Sequence, residues 1–146
     1  MVWLGVRCWK ERIAVLAVDD GPGGPSVVFR RRQNCPKGLE PGARAAWFAR
    51  VAAEAVEESG CGGVAVRIAD SNCEQLRCEA EGAVLAGASA AGLRTITLRR
   101  QSLIKPLSVP KGAGSWKAFQ AQDPFIGSLI GDEKDAAMAS LGAARH

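Results

Sequence analysis

The chain has 146 residues, one domain's worth, and its 47% hydrophobic and 23% charged residues exclude a largely disordered polypeptide. Nineteen Lys and Arg against fifteen Asp and Glu leave a net charge of +4, too mild by itself to mark a nucleic-acid binder. Charged residues from Arg7 to Arg12 interrupt the apolar opening. That is well short of the roughly 18 residues a membrane span needs, so neither a span nor a signal peptide is expected and a cytoplasmic location is the default.

Val2 to Trp9 is apolar and β-branched and reads as a first strand, and Arg12 to Val18 as a second. Asp19 to Pro25 is a dense set of turn residues, after which Ser26 to Arg32 makes a third strand. Short connections make these three an antiparallel meander. Arg30, Arg31 and Arg32 form a basic cluster at its end, which suits a second basic surface or a charged guard on a sheet edge. From Pro41 to Ser59, Trp47, Phe48, Val51, Ala52, Ala55 and Val56 recur at helical spacing. Pro41 suits the first turn of this helix and Gly60 the left-handed residue that ends it. Gly63 to Ala69 is a short apolar strand of the kind buried on both faces.

A second helix is expected from an N-cap at Asn72 to a stop at Gly92. Its small-residue face of Leu76, Ala80, Ala83, Val84 and Gly87 can lie on the sheet or on a second copy of the chain. Arg94 to Arg100 is a fifth strand, and residues 101–131 are a flexible basic loop punctuated by Pro and Gly. The last helix begins with Asp132 as its N-cap and buries Ala136, Met138, Ala139 and Leu141. The five cysteines (Cys8, Cys35, Cys61, Cys73, Cys78) form no CxxC pair, and His146 is the only histidine. Cys73 with Cys78 is the nearest approach to a zinc site, so reduced, partly buried thiols are expected and no metal.

The resulting order, βββαβαβ-loop-α over a single domain 1–146, implies an α/β fold with helices on both faces of a five-stranded mixed sheet, strand order 3-2-1-4-5. Strands one and four lie side by side at its centre. Ligands of such sheets bind beyond the carboxyl ends of the central strands, where Arg7 and Arg67 should face one crevice.

On this framework the chain resembles the RuvC family of Holliday-junction resolvases, whose fold is RNase H-like. The resemblance is carried by LGVRCWKERIAVLAV from Leu4, by CEAEGAVLAGASAAGLRTITLRRQSLIKPL from Cys78, by GAGSWKAFQ from Gly112 and by DAAMASLGAARH from Asp135. It implies a two-metal nuclease site built from four carboxylates. In this sequence the first-strand carboxylate position holds Arg7 and the fourth-strand position Arg67. Of the two aspartates on the last helix, one is kept as Asp135 and the other is Met138. A guanidinium stays charged and cannot ligate a cation, so a nuclease of that type is not expected. Arg7, Arg67 and Asp135 form either an ion-pair cluster that joins the last helix to the sheet or a site where one arginine grips a phosphate or carboxylate. Asp70 and Asp132 are the candidates for a displaced carboxylate set with Asp135, although Asp70 also suits a turn.

From Gly82 to Gln122 there is no acidic residue, while Arg94, Arg99, Arg100, Lys105, Lys111 and Lys117 supply positive charge. The resemblance implies backbone-phosphate contacts for Lys105 and Lys117. Trp116 and Phe119 flank Lys117 and suit either base stacking or packing of the loop. The preferred reading is a RuvC-like pseudonuclease that binds nucleic acid, branched DNA among the candidates, with no cofactor. It is expected to do so through Lys105, Lys111, Lys117, Arg99, Arg100 and Trp116. The alternatives are a scaffold module that holds a protein partner or further copies of itself, a dimer being typical of the family, and a metal-dependent junction endonuclease using displaced carboxylates.

Overall fold

Strands β1 (Trp3–Cys8), β2 (Arg12–Gly21) and β3 (Gly24–Asn34) form the expected antiparallel meander in the computed structural model, which describes residues 1–146. Helix α1 (Pro41–Ser59) leads into β4 (Gly63–Arg67), and α2 (Gln75–Ala90) leads into β5 (Arg94–Leu98). Then follow α3 (Arg100–Ile104), α4 (Ser115–Gln122), a 3-10 turn (Ile126–Ser128) and α5 (Gly131–Arg145). Strand β4 runs parallel to both β1 and β5, so the sheet order is β3-β2-β1-β4-β5, as the sequence predicts. No helix is long and apolar enough to cross a membrane.

The two-residue period of a strand decides which side chain meets which layer. Leu4, Val6 and Cys8 of β1, with Val64 and Val66 of β4, join Phe48, Val51 and Val84 in a core under α1 and α2. Trp3 and Ala65 belong to the opposite core, under α5. Counting on by twos puts Arg7 and Arg67 on the α5 side, the last residues of that parity before their strands end. Two features let α5 lie directly on the sheet. A Cβ on Gly5 would collide with the Ala136 carbonyl, so only glycine allows this approach. The β2 ladder shifts register between Ala17 and Val18. The Val18 N–H donates to Ser140 Oγ at 3.0 Å, and that hydroxyl donates to the Trp3 carbonyl at 2.7 Å. A buried hydroxyl thus satisfies a backbone group at the irregularity and ties helix to strand.

Several boundaries differ from expectation. The β2–β3 hairpin runs through most of the predicted turn, with Asp20 opposite Pro25; β3 is an edge strand, where a proline is tolerated. Helix α2 begins at Gln75, because Asn72 sits at φ 48°, a left-handed conformation incompatible with the extended backbone of an N-cap. Cys73 and Cys78 are joined by a disulfide, so three cysteines are free, not five. Asp132 is inside the first turn of α5 and does not cap it; its carboxylate pairs with Arg12 at 3.0 Å. Residues 101–131 contain two short helices and a 3-10 turn rather than an unstructured loop. Leu103, Leu107, Val109, Ile126 and Leu129 anchor them in the core under α5. The small-residue face of α2 is used inside the chain. Ala80, Val84 and Ala88 are in the core, and a Cβ on Gly87 would come within 3.2 Å of Ala49 on α1.

Candidate functional site

Beyond the carboxyl ends of β1 and β4 lies a small cavity of about 210 Å³. Asp135, one turn into α5, stands between two arginines: Arg7 Nε is 3.4 Å from Oδ2 and Arg67 Nε is 3.7 Å from Oδ1. Arg67 is buried and donates from Nη1 to the Ile68 carbonyl and from both Nη atoms to Asp70, at 3.3 and 3.1 Å. The same Asp70 carboxylate accepts the Arg100 N–H at 2.8 Å and faces the Arg100 guanidinium at 3.7 Å. Arg77 of α2 donates to the Arg67 carbonyl at 3.3 Å and to Glu81 at 2.7 Å. Trp116 closes one wall, with the guanidinium carbons of Arg67 and Arg100 at 5.7 and 5.3 Å from its ring centroid.

The electrostatics follow from this crowding. Burial pushes the Asp135 carboxyl above its ordinary range, outweighing Arg67 and Arg77, whose charges pull it down. Burial also raises Asp70, but there the Arg100 N–H and the Arg67 guanidinium prevail, and its carboxyl is held below the usual range. Burial raises Glu81 against the pull of Arg77.

The resemblance to two-metal nucleases raises the question of a divalent cation, and the residues present do not fit one. Each Asp135 oxygen faces a guanidinium, and both Asp70 oxygens are occupied by Arg67 and Arg100. Met138 is fully buried in the apolar core. Asp132 lines a different cavity on the β2–β3 side, with Arg12 and Arg32, and does not converge with Asp70 and Asp135. A dication placed here would face four arginines against two carboxylates. Glu81 lies near Cys73 and Cys78, but those sulfurs are bonded to each other and offer no thiolate.

Of the predicted binding residues, Arg99, Lys105, Lys111 and Lys117 are exposed and none is paired with a carboxylate. Arg100 is at the crevice rim, held by Asp70. Trp116 is half-buried and packs with Phe119 against the core under α5, so both help to dock the segment. The Arg30–Arg31–Arg32 cluster lies on the edge strand β3, as the edge-guard reading expects, and its charges are met by acids of this chain. Arg30 and Arg32 face the buried Glu133 of α5 at 3.6 and 3.9 Å, and Arg31 pairs with Glu58 of α1. Arg77 was not singled out in the sequence. Its one signal is Glu81 four residues later, an i,i+4 pair common on exposed helices and hence uninformative about a site.

A five-stranded sheet of this order, covered by α1 and α2 on one face and α5 on the other, is the RuvC-type, RNase H-like fold. Among solved structures, Thermus thermophilus RuvC superposes with a TM-score of 0.78 at 16% identity, over 99% of this chain and 94% of that one. T. thermophilus RuvC in complex with a Holliday junction substrate gives 0.72 at 15% identity, over 99% and 94%. The yeast mitochondrial Holliday junction resolvase Ydc2 gives 0.65 at 13%, over 98% of this chain and 77% of that one. No family model matches the sequence, and no curated protein does.

Proposed function

We propose that this chain is a RuvC-like domain that binds nucleic acid, branched DNA in particular, without cutting it. The observation that carries the reading is the Arg7–Asp135–Arg67 arrangement: four arginines face two aspartates, Asp70 and Asp135, in the crevice where the family resemblance would place a set of metal-binding carboxylates. Positive charge there favours a phosphate and disfavours the metal ions that hydrolysis would need. The exposed Lys105, Lys111 and Lys117 extend the positive surface along the segment that leaves β5. A structure from the RuvC group bound to a Holliday junction substrate makes branched DNA the first ligand to try.

The test is titration of fluorescent four-way-junction, duplex and single-stranded DNA across a range of salt. Junction binding should weaken steeply as salt rises, because each phosphate neutralised releases counterions. The Lys111→Ala/Lys117→Ala variant should bind more weakly and lower the log–log salt slope by about 2. Incubation with Mg²⁺ or Mn²⁺ should leave the junction intact. Weak, salt-insensitive binding would refute nucleic-acid recognition. Clean cleavage abolished by Asp135→Asn would refute the non-cutting part alone.

A further inference from the structure

A larger cavity, about 800 Å³, opens on the other side of Arg7 and Arg77, between the β1–β2 turn, the loop from β3 to α1, and the start of α2. Six basic side chains line it against two acids, Glu11 and Glu74. Three of the six (Arg7, Arg12 and Arg77) have their charges met by Asp135, Asp132 and Glu81. The other three have no acidic partner, and they differ in kind. Arg44 is fixed: its guanidinium donates to the Leu76 carbonyl at 3.0 Å and to the Lys10 carbonyl, bridging the turn and α2. Carbonyls orient that group without neutralising it. Lys10 and Lys37 are exposed and reach the cavity from the two opposing loops. Apolar surface is also present, in Leu39 and in Trp9, whose ring lies 4.9 and 4.4 Å from the guanidinium carbons of Arg7 and Arg12.

One oriented guanidinium, two adjustable ammonium groups and a patch of apolar wall together suit a phosphate ester with an organic portion. The volume falls within the range of small-ligand sites, which enclose roughly 300–1,000 Å³. We propose that this cavity is a nucleotide-sized anion site, separate from the arginine–aspartate crevice, that takes a phosphate ester. Its source is either a free nucleotide or a nucleotide unit of a strand. The proposal rests on other residues than the DNA-binding reading, since none of the three unpaired cations belongs to the basic stretch 82–122.

The cavity carries its own reporter. Cys35 is in its wall and half-exposed, whereas Cys8 and Cys61 are buried and Cys73 and Cys78 are bonded together. Native alkylation with N-ethylmaleimide should therefore modify Cys35 first, and a ligand seated here should shield it. The rate is followed by mass spectrometry with ATP, with a 5′-phosphorylated single-stranded oligonucleotide, and without ligand. Protection should approach about tenfold when ligand is ten times its Kd, and the Lys10→Ala/Lys37→Ala variant should lose it. Both lysines are exposed, and an unchanged circular-dichroism melt would confirm that the variant folds. Protection by ATP assigns the site to free nucleotides, and protection by the oligonucleotide alone assigns it to strands. No protection by either at about 1 mM, or protection that survives the double substitution, overturns the proposal.

Discussion

Asp135 has to serve two guanidinium groups at once, and it does so in a place where its own charge is costly. Replacing it by Asn removes the carboxylate that burial disfavours but leaves Arg7 and the buried Arg67 facing one another. The raised carboxyl means that in the folded chain desolvation outweighs the attraction of the arginines, so a neutral side chain is better tolerated there. Asp135→Asn should therefore leave the unfolding free energy at pH 7 unchanged or slightly higher, measured by urea denaturation. A loss of more than about 1 kcal/mol would mean that the ion pairs outweigh the burial of the charge. The choice of arginine at positions 7 and 67 was legible from their place in the strands. Asp70 was legible as a candidate carboxylate beside Asp135, although it serves Arg67 and Arg100 rather than a metal; that Arg77 completes the cluster was not, because its only local signal is the i,i+4 pair with Glu81.

At the scale of elements, the seating of α5 on β1 governs the site, because the helix supplies Asp135 and the strand supplies Arg7. The spacing depends on Gly5, where a methyl group would meet the Ala136 backbone rather than a movable side chain. Gly5→Ala should cost about 3 kcal/mol, the upper part of the range for overpacking, since backbone cannot step aside as a rotamer can. Because α5 must lift to admit the methyl, DNA affinity should fall along with stability. Thermal melts and junction titration of the same variant check both; a Tm near that of the parent would show that α5 is not seated as closely as described. The Ser140 hydroxyl, bonded to both Val18 and Trp3, makes a sliding readjustment of the helix expensive as well.

For the whole molecule, the acid limb of stability is set by carboxylates shifted in opposite directions. Asp20 is held below its ordinary range chiefly by the hydrogen bond from Arg145, which ties the end of α5 to β2. Asp70 is held low despite its burial by Arg100 and Arg67. A carboxyl lowered in the folded state contributes stability that is present above its unfolded value and lost as pH falls through the folded one. Asp135, raised by burial, has the reverse sign: its cost applies at neutral pH and is relieved as pH falls through its raised value. Stability should therefore hold or rise slightly on mild acidification and then drop below about pH 4. Urea titrations from pH 7 downward check this: Asp70→Asn should shallow the final drop, and Asp135→Asn should diminish the early plateau, of which the raised Glu81 keeps a share. A monotonic loss from neutral pH in the parent would contradict the sign given to Asp135.

Strand parity, helical spacing and turn chemistry, all local properties, determined the element order, the 3-2-1-4-5 sheet and the placing of Arg7 and Arg67 on one face. Even where the signal was misread, as with Pro and Gly in residues 101–131, the apolar residues that anchor α3 and the 3-10 turn were present in the sequence, obscured by the punctuation between them. Beyond the Arg7–Asp135–Arg67 cluster, which the sequence already offered, the tertiary structure decided which charges find partners. The arginines of β3 reach Glu133 and Glu58, Arg12 takes Asp132, and Arg44 is held by carbonyls, leaving Lys10 and Lys37 unpaired beside it. Ion pairing depends on separations of a few ångströms between residues distant in the chain, and a one-dimensional pattern carries no such information.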